Sequence, residues 1–475
     1  MKKLFLIVFA FLYTFSYSQD GSFDISFGDN GRTQFTYNNN YKFYTCNQLS
    51  DDSYFTFGKH VEAGNYSLVI HKILNDGNID TSFGVDGIVV IPWDSQDNPF
   101  KSITVNNDKT LLLKNKQYHL TINRIDSNGS LDNSFGNNGE LTPFPSSTYG
   151  SMTILESEKI LAATSINTNT FSIRRFLADG ELDLGFGNNG EITISLSNLI
   201  NFEIVDIKET IDNKILVSLI IYNYPELDEN YILKINPNGE LDTSFGSSGI
   251  FTVPIEFIAE FTNYSSRINL FENGEILVST YIVNHYNEFY YTKYRKLNSQ
   301  GVLIPSFGNG GSFLEFGVGS VKILQNQRFI HGSQRNIKRY FSGGDIDNSF
   351  NMDFSGFPPT DEFYYIVDNV GKIFFGTRSY FGPTLFIARL NNNPLNLSSF
   401  DINAIFVSPN PSSSKFTINS DIPFENTPFK IYDFTGKNVG EGFLNGQNPV
   451  LDLTTFQSGI YLLKINNSTL KLIKN

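Results

Sequence analysis

The chain has 475 residues, of which only 17% are charged, with 45 Phe and 24 Tyr, a bias toward residues that suit pleated, half-buried surfaces. A net charge of −13 with no basic stripe excludes a nucleic acid partner, which needs cations to neutralise its phosphates. The single cysteine, Cys46, excludes a disulfide framework and reads as a small apolar filler in a strand.

Residues 1–18 open with Lys2 and Lys3, run through the apolar Leu4 to Tyr13 and end in Ser16, Tyr17 and Ser18. That is the layout of a secretory signal peptide, with cleavage expected before Gln19. The apolar run is too short to span a bilayer and no other long one follows, so no transmembrane segment is expected.

From Gly21 onward a pattern of Gly, Leu, Asp, Ser, Phe, Gly and Gly returns, clearest in GELDTSFGSSG from Gly239 to Gly249. Its aromatic position is Phe27, Phe83, Phe135, Phe186, Phe245, Phe307 and Phe350, at intervals of 43 to 62 residues. With no helical periodicity between copies, that interval predicts one small antiparallel sheet per repeat and hence a β-propeller. Hairpin turns are expected at Asn107-Asp108, Ser157-Glu158, Asp212-Asn213, Asn273-Gly274, Asn326-Gln327 and Val370-Gly371. In the fifth unit the strands would be Ser266 to Phe271, Glu275 to Ile282, Phe289 to Leu297 and Ser312 to Phe316.

The repeats begin with a motif and a lone strand, Gly21 to Tyr37, and finish with three strands that lack a motif, Phe363 to Leu390. Open sheet edges invite aggregation, so the first strand is expected to complete the last sheet. The reading is an all-β, seven-bladed β-propeller over residues 19–391, closed by the N-terminal strand. Six or eight blades are the alternatives if the short sixth unit, Gly311 to Gly343, is irregular.

Within the motif, Gly suits turns with positive φ, Phe is expected to plug the space between blades, and Asp is expected to bond loop amides. The acidic position is Asp24, Asp80, Asp132, Asp183, Asp242 and Asp347; the sixth copy has Ile304 there, and the seventh ends in Asn351 and Phe354 instead of glycines. One carboxylate per blade lies spread around a ring and does not converge on an ion, so no metal or other cofactor is expected. These residues resemble the delta-60 repeat, a family of secreted bacterial propeller-like proteins, and the resemblance covers about residues 21 to 391.

Recognition is expected in the loops, on the side opposite the motifs and hairpin turns, because a repeating scaffold varies there. The longest loops are Tyr222 to Asn230 and Val283 to Glu288. Trp93 lies in a link between blades, with Asp94, Asp97 and Asn98 close behind. Aromatic rings beside carboxylates and amides suit a sugar or a peptide. The candidate binding residues are Trp93, Tyr222, Tyr224, Glu226, Asp228, His285, Tyr286 and Glu288.

An enzyme needs a nucleophile, a base or a metal set. The five histidines, His60, His71, His119, His285 and His331, are not at metal-ligand spacing, and there is no GxSxG elbow or phosphate-binding loop. His331 would sit near Arg335 as a strand histidine, and a carboxylate pair for glycoside cleavage, such as Glu226 with Glu288, is spatially conceivable but has no spacing rule behind it, because loops fix no distance. No catalytic residue is assigned.

Asn391 to Pro394 and the serines that follow read as a linker over residues 392–404. From residue 405 short alternating runs, Phe416 to Ile418, Phe429 to Tyr432, Val450 to Leu453 and Ile460 to Ile465, predict a small β-sandwich. SPNP at Ser408 to Pro411, IYDFTGK at Ile431 to Lys437, LDLTTFQSGIYLLKI at Leu451 to Ile465 and the basic end at Lys471 and Lys474 resemble the type A C-terminal sorting domain of the type IX secretion system. The resemblance implies engagement of that machinery, passage through the periplasm, export across the outer membrane and removal of the tail. The mature chain is then released or attached to the surface through lipopolysaccharide.

Together these features predict a monomeric, secreted or surface-displayed binding or adhesion module for an extracellular glycan or protein. The alternative is a polysaccharide-acting enzyme on the same scaffold.

Overall fold

A computed structural model of the chain describes residues 20–36, 41–93, 98–105, 108–116, 119–145, 150–155, 157–196, 201–222, 228–254, 261–284, 289–324, 327–333, 336–352, 363–378, 384–392, 406–419, 424–433, 436–465 and 468–475. The chain divides into two compact units, Met1–Asn393 and Pro394–Asn475.

The first strand, β1 (Arg32–Thr36), precedes a run of antiparallel sheets whose strands neighbour one another in chain order. The first sheet holds β2 (Tyr41–Gln48), β3 (Tyr54–Glu62), β4 (Asn65–Ile73) and β5 (Ile88–Pro92). The second holds β6 (Asn98–Val105), β7 (Lys109–Lys116), β8 (His119–Ile125) and β9 (Glu140–Leu141). The third holds β10 (Gly150–Ile154), β11 (Ile160–Asn167), β12 (Thr170–Phe176) and β13 (Glu191–Ser195). The fourth holds β14 (Phe202–Glu209), β15 (Ile215–Ile221), β16 (Glu229–Ile235) and β17 (Ile250–Val253). The fifth holds β18 (Phe261–Leu270), β19 (Ile276–Asn284), β20 (Phe289–Leu297) and β21 (Ser312–Phe316). The sixth has three strands among the described residues, β22 (Ser320–Ile323), β23 (Phe329–Ser333) and β24 (Asn336–Tyr340). The seventh, β25 (Phe363–Val367), β26 (Ile373–Arg378) and β27 (Thr384–Leu390), takes β1 as its fourth strand, with Arg32 opposite Ala388 and Thr36 opposite Thr384.

The hairpin turns between the first two strands of each sheet need a residue in the left-handed region. Asp108, Glu158, Asn213 and Gln327 supply it at φ of 55, 61, 56 and 58°, beside Gly274 and Gly371. The motif after each third strand needs glycine for a different reason. At Gly246, φ is +53° and an added Cβ would stand 2.3 Å from the Ile250 carbonyl oxygen.

Among the described residues seven apolar cores each join two sheets, six of them joining sheets that follow one another and one joining the first to the seventh. Leu216 and Ile232 of the fourth sheet meet Ile268 and Val278 of the fifth around Phe245. The core around Phe27 joins Tyr41, Phe43 and Tyr54 of the first sheet to Phe374, Leu385 and Ile387 of the seventh. All seven motif phenylalanines are buried, none more than 7% exposed. The second strand of a sheet is apolar on both faces because sheets cover both, and ILVSLII of β15 is buried at every position.

The backbone geometry of the motif is the same where the chain is continuous and where it is not. The Asp132 amide bonds the Arg124 carbonyl at 2.9 Å, and the Asp24 amide bonds the Arg389 carbonyl at 2.8 Å. Asn391 and Asn392 belong to this unit. Asn391 bonds the Ser22 and Phe23 carbonyls, and the buried Asn392 bonds the Gly371 carbonyl.

The C-terminal unit has one sheet of β28 (Phe406–Ser408), β29 (Lys415–Asn419) and β32 (Val450–Asp452). Its other sheet is β31 (Asn438–Gly446), β30 (Phe424–Asp433), β33 (Gly459–Ile465) and β34 (Ser468–Lys474). Phe416, Ile431, Leu453, Leu463 and Leu472 share the core of the two.

Candidate functional site

The recurring carboxylates are fully engaged. Asp132 accepts bonds from the Ser134 amide at 3.1 Å and hydroxyl at 2.6 Å, and its other oxygen pairs with Arg124 and Lys109, each at 2.6 Å. Asp183 repeats the two ion pairs with Arg175 and Lys159 but takes only the Gly185 amide, and Asp347 repeats the whole set with Ser349, Arg339 and Arg328. Asp24 does so with Arg389 and Lys372, partners from the far end of the unit. The same arginines lie over the motif rings, Arg124 over Phe135 at 4.8 Å and Arg389 over Phe27 at 4.9 Å. Burial alone would raise the Asp242 carboxyl, but Lys214 and the Ser244 hydroxyl and amide outweigh it and hold it at about 2. Carboxylates so satisfied are joints of the scaffold. Among the described residues no three of His, Cys, Asp or Glu come together as a metal site.

Where Ile304 replaces the acidic residue, the charges exchange places. The residue that opens the second strand is Lys or Arg in five sheets, but in the fifth it is Glu275, which pairs with Lys296 at 2.6 Å. Sequence reading missed both the cation eight positions ahead of the Asp and this exchange. The signal was present in the fixed spacings Arg124 to Asp132, Arg175 to Asp183 and Arg339 to Asp347.

These ion pairs join hairpin turns and motifs on one side of the sheets. A cleft of about 560 Å³ opens beside the β11–β12 loop, on the opposite side, between the third and fourth sheets. Phe144, Ile166 and Phe202 form its apolar lining; Ser165, Asn167, Thr168, Asn201 and Arg174 supply polar groups. Arg174 donates from Nε to Glu191 at 3.2 Å and from Nη1 to the Pro143 carbonyl at 3.0 Å, and its guanidinium lies 4.7 Å from the Phe144 ring centre. The far wall is fixed by the backbone: the Asn201 amide bonds the Thr168 carbonyl at 3.2 Å, and the Tyr222 amide bonds the Asn201 carbonyl at 3.0 Å. This volume and mixed lining fall in the range of small-ligand pockets.

Tyr222, one of the residues expected from sequence, therefore stands beside the cleft; it is 39% exposed, and its hydroxyl donates to Glu203 at 2.8 Å. Asp228 is half-buried just ahead of β16. Trp93 is elsewhere, half-buried against the core between the first and second sheets, with the Lys114 ammonium 4.4 Å from its ring centre. Its face is occupied, and it does not join the cleft. Tyr224, Glu226, His285, Tyr286, Glu288, Arg335, Asp94, Asp97 and the leader 1–18 lie outside the described residues. Next to residues 285–288, Phe289 and Phe316 stand exposed with ring centres 5.6 Å apart, and Tyr290 stacks on Tyr281. His331 is buried, in contact with the Tyr294 hydroxyl at 2.6 Å, and burial lowers it to about 4. A neutral histidine sealed in a core does not serve a surface reaction.

The fold is that of an all-β protein of the propeller class. Residues 212–245 match the domain of unknown function DUF5122, described as a beta-propeller, consistent with the delta-60 repeat. Residues 406–475 match the secretion system C-terminal sorting domain, so the chain is a type IX secretion cargo, exported to the cell surface or secreted. No curated protein matches the chain. Similar solved structures include PorZ of Porphyromonas gingivalis, a surface component of the type IX secretion system, at 10% identity and TM-score 0.36 over 93% of this chain and 60% of that one. The polysaccharide lyase Uly1 is similar at 9% identity and TM-score 0.45, over 74% of this chain and 90% of that one. The beta-propeller domain of the Trilobed protease from Pyrococcus furiosus is similar at 11% identity and TM-score 0.39, over 77% of this chain and 99% of that one. Among the described residues no helix is long and apolar enough to cross a membrane.

Proposed function

We propose that the seven sheets close into a seven-bladed ring through the N-terminal strand, and that this ring is an extracellular binding module. Residues 1–18 direct passage to the periplasm, residues 405–475 direct export, and the loop side of the ring binds a glycan. Ring closure is supported by β1 on the seventh sheet, by the core shared between the first and seventh sheets and by the Asp24–Arg389 pair. Glycan binding rests on one observation, the cleft lined by Phe144, Ile166 and Phe202 with amide and hydroxyl groups between them. Flat apolar faces stack on sugar rings while amides and hydroxyls fix orientation.

The test is a screen of the secreted protein against extracellular polysaccharides and glycans, with product analysis of each hit. Phe144→Ala and Asn167→Ala are each expected to weaken a hit about tenfold, the equivalent of roughly 1.4 kcal/mol. Binding unchanged by both substitutions removes the cleft from the reading, and cleavage of the bound polymer moves the protein to the polysaccharide-acting enzymes.

A further inference from the structure

The cleft carries charge of one sign. Among the described residues that line it, Arg174 is the only charged one, and no carboxylate stands beside it in the lining. In a chain of net charge −13 that is a local reversal. The carboxylates nearest in the fold are tied or turned away. Glu191 stands opposite Arg174 at the start of β13 with both oxygens engaged, one by Arg174 Nε at 3.2 Å and the other by the Ser172 hydroxyl. Glu203 follows Phe202 on β14, and successive strand side chains point to opposite faces, so it leaves the wall that Phe202 forms. Its carboxylate accepts the Tyr222 hydroxyl at 2.8 Å.

Arg174 is held in place with one end unspent. Glu191 on Nε, the Pro143 carbonyl on Nη1 at 3.0 Å and the Phe144 ring against the guanidinium fix its plane. Nη2 makes no hydrogen bond among the described residues, and the side chain is 33% exposed. The fold does not force this arrangement. The residue opposite the first position of the fourth strand is His71, Asn123, Leu233, Arg295 and Ala388 in the first, second, fourth, fifth and seventh sheets. Arg295 spends Nη1 on the Thr280 hydroxyl at 3.2 Å and Nη2 on the Pro254 carbonyl at 3.0 Å. Arg174 keeps a donor for a ligand. A guanidinium N–H bonds an ionised oxygen roughly twice as strongly as a neutral one, and a fork already fixed loses little freedom on binding.

We propose that the glycan of the cleft is acidic: a sugar ring packed on the apolar lining presents a carboxylate or sulfate oxygen to Arg174 Nη2, while Asn167, Thr168 and Asn201 take its hydroxyls. This assignment rests on the cleft being a glycan site and adds the charge of its occupant. It is tested by calorimetric titration of the full secreted chain, at one ionic strength, with matched pairs of oligosaccharides. Oligogalacturonate and oligoalginate are each set against their carboxyl-reduced forms, and a sulfated galactan oligomer against its desulfated form. The parent is expected to bind the acidic member of at least one pair saturably and at least tenfold more tightly than its neutral counterpart; the pair that responds tells carboxylate from sulfate. Arg174→Gln is expected to erase that preference, whereas Phe144→Ala weakens both members and keeps it. Equal or tighter binding of the neutral members by the parent overturns the proposal and leaves the glycan cleft standing, a result that needs no variant to fold. A preference that survives in Arg174→Gln overturns it equally. Binding of no member of any pair overturns it too, and the wider polysaccharide screen then reads whether the glycan site falls with it.

Discussion

At Asp24, Asp132, Asp183 and Asp347 the motif carboxylate closes three links at once: a bond to the amide two residues on, an ion pair to an arginine of the strand beside it and, through that guanidinium, a stacked contact on the motif ring. Asp242 makes the first two, with Lys214 as its cation. Asp24 and Asp242 ionise at about 2 in the folded chain, against 3.8 for an unperturbed carboxyl. Their folded values are depressed, so the stability they contribute is complete above about pH 4 and is lost as pH falls from 4 toward 2. Urea midpoints measured across that window are expected to fall more steeply in the parent than in the Asp24→Asn, Asp242→Asn double variant, by on the order of 2 kcal/mol for each carboxyl. The exchanged pair makes a second test. Glu275→Lys leaves Lys296 beside another cation and is expected to cost about 2 kcal/mol. Adding Ile304→Asp restores the arrangement of the other sheets, and a urea-midpoint cycle is expected to return a favourable coupling of about 1 kcal/mol or more. The Asp and Phe positions were legible from repetition alone. The cations escaped because they vary between Lys and Arg, and because one motif inverts the polarity of its pair.

At the scale of the element, strand positions were legible because β-branched and aromatic runs between turn residues have few other ways to fold. In the fifth sheet the last two strands, Phe289–Leu297 and Ser312–Phe316, match the expected bounds; the first begins earlier, at Phe261 rather than Ser266. The register there shifts between Asn263 and Ser266, a bulge that interrupts the alternation a sequence reader relies on. The cleft was not legible. It is assembled from Phe144 and Pro145, from residues 164–168, from Arg174 and from Asn201 with Phe202, four segments of ordinary composition that only sheet packing brings together. Loop length pointed instead to residues 222–230 and 283–288, of which Tyr222 alone is described beside the cleft. Packing of successive sheets on a motif ring carries its own test. Phe245, fully buried between the fourth and fifth sheets, is expected to cost 3–5 kcal/mol when replaced by Ala, read as a lower urea midpoint with little change in slope.

For the whole molecule, the question is how a row of sheets, each covered by the next, avoids two raw ends. The chain spends its first described strand on the last sheet and sets Asp24 against Arg389 and Lys372, where every neighbouring motif finds its partners within one stretch of sequence. The apolar core that Phe43 shares with Phe374 and Leu385 does the same for the interior. Imbalance between a motif without its sheet and a sheet without its motif is the sequence signal behind the expectation of a closed ring. It also fixes which side carries hairpin turns and which carries the cleft. The most direct test is amide hydrogen exchange in the native state at Arg32–Thr36. Protection equal to that of Thr384–Leu390 is expected, since one sheet opens as a unit. Exchange of Arg32–Thr36 at the rate of a free chain end, while Thr384–Leu390 remains protected, would contradict the closed ring.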